Sequence, residues 1–155
     1  MINLYKWMLQ LFGWNNFVAE QPEGLRQQAA IFYQKFNSIG LDVAFWVCCV
    51  ALVLVGVVLY YFWWSNGSSK RFKYRYRIHW WITWLLSNSV IVSVVTPFAI
   101  KFVLRNYNFN YFNYADALMA VSLCNFLYAI ILFFGLSWLV SKMFPKFTNA
   151  ACTPF

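Results

Sequence analysis

Side chains able to do chemistry are few in this chain and poorly placed for catalysis. One histidine (His79), four cysteines and four acids are all that 155 residues offer for proton transfer, nucleophilic attack or metal ligation. Cys48, Cys49, Cys124 and Cys152 contain no C-x-x-C pair. Three of them stand in apolar stretches, where cysteine behaves as a small hydrophobe, so neither a disulfide framework nor a zinc site is expected. Glu20 and Glu23 bracket Pro22 at what reads as a helix start, and Asp42 and Asp116 precede apolar runs as N-caps. No serine sits in a G-x-S-x-G turn, no carboxylate neighbours His79 in sequence, and no glycine-rich phosphate loop is present. The pattern predicts a protein that is not an enzyme and carries no metal or cofactor.

The remaining polar chemistry consists of hydroxyls and amides inside apolar segments. Between residues 78 and 100, Ser89, Ser93 and Thr96 share one helical face, while His79, Thr83 and Ser87 occupy the adjoining one. Trp80, Trp84, Ile91, Val95 and Phe98 lie opposite. Lipid offers hydroxyls nothing, so the polar half is expected to face protein or water. Asn88 points instead toward the tryptophan-rich side and needs a partner there. Between residues 117 and 140, Ser122 and Asn125 fall one turn apart, with Tyr128 a turn further on. Asn125 is the expected partner of Asn88 or of the serines, within one chain or between copies. Gly56 and Gly135 allow close helix approach. Two uses fit Ser87, Ser89, Ser93, Thr96, Asn88, Ser122 and Asn125: lining a water-filled path in an oligomer, or holding packed helices together.

The elements that carry these residues follow from composition. Hydrophobic residues make up 63% of the chain and charged residues only 10%, far from the roughly half and quarter of soluble domains. A soluble fold of this length could not hide so much apolar surface. Val43 to Trp64 is free of charge and, at 1.5 Å per residue, about 33 Å long, enough for the hydrocarbon core. Two further spans run from 78 to 100, with Pro97 expected to kink the far end, and from 117 to 140. Tyr60 to Trp64 and Trp80, Trp81 and Trp84 form aromatic belts at one face. Residues 105–116, which alternate aromatics with asparagines, read as an interfacial loop or short hairpin.

A net charge of +8 suggests nucleic acid in a soluble protein, but position argues otherwise. Lys70, Arg71, Lys73, Arg75 and Arg77 crowd into the loop 65–77, as bases do on the cytoplasmic side of a membrane protein. They are candidates for contact with anionic lipid headgroups, with simple topology anchoring as the plainer reading. The same rule places the N-terminus outside and the C-terminal tail inside, with a bacterial inner membrane as the expected bilayer.

Residues 1–42 precede the spans as an extracytoplasmic region of two amphipathic helices. In the first, Asn3, Lys6, Gln10 and Gly13 form a narrow polar stripe suited to a membrane surface or a partner helix. In the second, Leu25, Ala29, Phe32, Phe36, Ile39 and Val43 form one apolar seam, and Gly40 is placed to end the helix. The expected fold is therefore an all-α membrane protein, with three transmembrane helices in 43–155 preceded by two surface helices. Its three-span layout with a basic cytoplasmic face resembles, in topology alone, small pore-formers such as phage holins. Two functions fit: a homo-oligomeric channel or permeabilising pore, and an accessory or anchoring subunit among other membrane proteins.

Overall fold

The computed structural model describes residues 2–65, 77–105 and 112–143. Every regular element among them is helical. Helix α1 (Ile2–Leu11) leads through a left-handed Gly13 into a single tight turn, Trp14–Asn16. Pro22 then opens a continuous helix α2, Glu23–Phe62, as expected of proline at a helix start. Helices α3 (Arg77–Leu104) and α4 (Ala115–Met143) follow. The apolar helices Glu23–Phe62, His79–Leu104 and Ala115–Met143 are each long and apolar enough to cross a bilayer. α3 and α4 pack along one another, α2 lies against both, and α1 rests on α4. The loop bases Lys70, Arg71, Lys73 and Arg75, the segment 106–111 and the tail with Cys152 lie outside the described residues.

Helix α2 departs from the expectation that Gly40 ends a surface helix and Asp42 caps a new one. The helix runs unbroken through both, and Asp42 has ordinary helical torsions and caps nothing. Gly40 is instead a contact point, since a Cβ there would meet Phe36 and Ile100 at 3.7–3.8 Å. The packing of α3 against this position outweighs the local tendency of glycine to stop a helix. The apolar seam also shifts. Beyond Phe36 the inward residues are Gly40, Ala44 and Cys48, with Ile39 and Val43 half-buried. A strict 3.6-residue period cannot hold residues four apart on one face indefinitely. α2 solves this by widening to π geometry over Phe36–Gly40, Val43–Ala51 and Leu59–Ser65. Phe32, Phe36, Gly40, Ala44 and Cys48 thereby stay in register with the core.

At 40 residues, α2 is close to twice the length that ~30 Å of hydrocarbon requires. Its first half, with α1 and the Trp14 turn, builds a separate aromatic core. Trp14 stacks on Phe17 at 4.5 Å and packs on Phe36 at 4.7 Å. Phe32 meets Tyr114 at 5.0 Å and Phe112 at 5.7 Å. Each such pair contributes about 0.5–1.5 kcal/mol beyond its burial. A second core lies further along the bundle, where Val53, Val57, Tyr60 and Tyr61 of α2 meet Trp81, Leu85 and Val92 of α3 and Ala129 and Phe133 of α4. Aliphatic side chains such as Val47, Val55, Val90, Val94, Leu127 and Ile131 cover the outside. That inside-out distribution suits a lipid surround.

Helix α4 also corrects a cap. It begins at Ala115, whose N–H donates to the Asn113 side chain at 3.3 Å, so Asn113 caps it and Asp116 sits in its first turn.

Candidate functional site

The chemistry of this molecule is concentrated where polar side chains meet between helices. The most connected meeting point is Asn125 of α4, which is 0% exposed. Its Nδ2 donates to the Ala44 carbonyl of α2 at 2.8 Å and to Thr96 Oγ1 of α3 at 2.8 Å. Its Oδ1 accepts from the Tyr5 hydroxyl of α1. One amide thus joins four helices with both its donors and its acceptor engaged. Thr96 passes its own proton to Val92 O at 2.7 Å, closing the network. Nearby, the Cys124 thiol donates to Leu4 O at 3.8 Å, a second tie between α4 and α1. Burial pushes the Tyr5 phenol well above its ordinary range, so Tyr5 remains a donor at any physiological pH.

Within the chain, Asn125 thus bonds Thr96, the Ala44 carbonyl and Tyr5 and neither of its expected partners, Asn88 or the serines. Both N–H donors of Asn125 are used, and its Oδ1 already accepts from Tyr5. Asn88 packs elsewhere, with its amide in the place a Cβ on Gly56 of α2 would occupy. Asn88 is 7% exposed, and its Nδ2 is buried without a hydrogen-bond partner. Gly56 is therefore the helix-approach point that the sequence suggests, and Asn88 is what approaches it. No comparable close neighbour faces Gly135.

The hydroxyls of α3 divide into two groups. Ser89 and Thr96 are fully buried within the single chain, and Ser89 donates to Leu85 O at 2.8 Å. Ser93 is half-buried on the same side. By contrast, His79, Thr83 and Ser87 are exposed, with Thr83 donating to His79 O at 2.8 Å. Thr83, Ser87, Asn88, Trp84 and Ile91 line a groove of about 270 Å³ on the outer surface of the bundle. Ser122 is half-buried in a larger cleft, about 600 Å³, between the end of α3 and the start of α4, where Lys101 and Arg105 supply the charge. Arg77 opens α3; the other four expected headgroup contacts fall outside the described residues.

Two participants escape the sequence reading. Tyr5 reaches a side chain 120 residues away, and nothing in the period of α1 distinguishes it from its neighbours. Ser137 ties the opposite end of the bundle: Trp81 Nε1 donates to its hydroxyl at 3.3 Å and the Tyr61 hydroxyl to its carbonyl at 3.4 Å. A lone buried serine facing a tryptophan one helix away leaves no local signature. Among the described residues, no cluster of histidine, cysteine or acid could hold a metal ion. Comparison of the chain with protein-family models, curated proteins and solved structures finds no significant match.

Proposed function

We propose that this chain is a non-enzymatic integral membrane protein that serves as an anchoring subunit, holding a platform of α1 and the first half of α2 on a three-helix bundle. The observation that carries this reading is the unbroken helix α2. It extends from the charge-free run into the aromatic core around Trp14 and Phe32 without a break. Asn125 then bonds the same platform, through Tyr5, to all three long helices. A platform coupled in this way resists tilting relative to the bilayer and presents Arg26, Gln27, Gln28 and Gln34 outward. The bases of the 65–77 loop favour a cytoplasmic location for that end and an extracytoplasmic platform, in a bacterial inner membrane. Anionic headgroups are the proposed neighbours of Lys70, Arg71, Lys73, Arg75 and Arg77.

The second reading is an oligomeric channel, favoured by the exposed polar stripe of His79, Thr83 and Ser87. In that case the path would follow these residues, because Ser89 and Thr96 face the interior of a single chain. Purified chain in mild detergent, followed by reconstitution into liposomes, separates the two. The anchoring reading expects a small, defined particle and no ion flux. Flux that Ser87→Leu alters would replace it with the channel reading.

A further inference from the structure

We infer that the cleft between the end of α3 and the start of α4 binds the headgroup of an anionic phospholipid, whose chain enters the apolar half of the cleft. This rests on the membrane-embedded reading above and adds a ligand at the end of α3 remote from the 65–77 loop. Lys101 and Arg105 stand one turn apart on α3, and both are exposed and line the cleft. Among the described residues neither has an acid within ion-pair distance; the pair that forms is Arg26 with Glu23. Asp116, in the first turn of α4, is exposed but does not line the cleft. Two neighbouring bases without a counter-charge attract an anion.

Depth narrows the choice. Lys101 closes the charge-free run of α3, which puts both bases at the level of the headgroups. Pro97 lies about 6 Å before Lys101 and about 12 Å before Arg105, at 1.5 Å per residue, and so reaches into the hydrocarbon. Leu118 and Met119, one turn into α4, line that deeper half together with Pro97. On the proposed orientation this is the extracytoplasmic end, where the charge rule disfavours bases. Topology therefore leaves the pair unexplained.

Charge set above an apolar wall selects an amphiphile. The cleft, about 600 Å³, falls within the usual ~300–1,000 Å³ of small-molecule sites. That is room for a phosphate, its glycerol and the start of one acyl chain, with the rest left in the bilayer. A lipid phosphate accepts from the Lys101 ammonium and, in bidentate fashion, from the Arg105 guanidinium. Asn113, whose Oδ1 caps α4, brings an amide N–H donor to the same mouth. Inorganic phosphate would leave the apolar half unfilled, and a neutral lipid would leave both bases unmatched. A zwitterionic headgroup carries a cation of its own, which the two bases repel.

The test uses the full chain in a nonionic detergent, with bound ligand counted by native mass spectrometry. Phosphatidylglycerol is titrated beside phosphatidylcholine of the same chain length and beside inorganic phosphate. The wild type is expected to retain phosphatidylglycerol in preference to both. Lys101→Gln and Arg105→Gln should each raise its dissociation constant about 5-fold, and together about 25-fold, the worth of one interfacial base apiece. Lys142→Gln, exposed in the last turn of α4, should leave it unchanged. Because both cleft bases are exposed, their variants should unfold at the wild-type midpoint, which separates lost binding from lost folding. Equal retention of phosphatidylcholine, or phosphatidylglycerol binding indifferent to the double variant, would overturn the inference. So would inorganic phosphate binding as tightly as the lipid, since the apolar wall would then have no part. Release of the chain by alkaline carbonate would instead overturn the membrane reading itself.

Discussion

Asn125 and Asn88 are the same side chain at two buried helix contacts, and the chain treats them in opposite ways. Around Asn125 four helices converge, and every hydrogen-bonding atom of the amide is used. At Asn88 the amide lies against Gly56 of α2, and one nitrogen is left over. A satisfied amide in a low-dielectric interior fixes one arrangement of helices, whereas an unsatisfied one carries a desolvation cost that nothing in the chain offsets. The hydrogen bonding at Asn125 is thus complete within the chain, and that at Asn88 is not.

The comparison breaks most readily at Asn125. Asn125→Leu strands the Tyr5 hydroxyl and removes three bonds, so it should lower stability by about 3–5 kcal/mol in detergent-titration unfolding. An effect no larger than that of Asn88→Leu would erase the distinction. Next in size is Gly56→Val, which sets a branched side chain where the Asn88 amide lies. It should cost about 1–3 kcal/mol by overpacking, measured in the same titration, with Gly56→Ala smaller.

Tyr5→Phe leaves Asn125 Oδ1 without its donor and should cost about 1 kcal/mol, detected as a lowered unfolding midpoint. The same phenol gives a pH signature. Its folded pKa is raised by burial, so its contribution is full below the unfolded value of about 10 and declines as pH rises beyond it. Unfolding midpoints of the wild type should fall more steeply above that pH than those of Tyr5→Phe. The smallest effect should belong to Asn88→Leu. It removes an orphan along with its cost, so the stability of the single chain should change by no more than about 0.5 kcal/mol.

The long helices were legible because their signal is local and additive. α3 and α4 extend only a few residues beyond the expected 78–100 and 117–140. Gly40 and Asp42 were misleading for the opposite reason. Each carries a local tendency to end or cap a helix; Gly40 was overruled by its contact with Ile100 of α3, and Asp42 simply lies within the helix that therefore continues. The hydroxyl stripe was half legible. Its two faces are real, but sequence could not say that Ser89 and Thr96 turn into the chain while Thr83 and Ser87 turn out.

The order of residues by itself determined how many apolar helices this protein has and where the two later ones lie, because transfer to an apolar surround sums over neighbouring side chains. Tertiary structure alone decided which asparagine is satisfied. A hydrogen bond depends on two atoms meeting at about 3 Å with proper direction, and for Asn125 those atoms come from α1, α2 and α3. Nothing in the spacing of residues along the chain encodes that meeting.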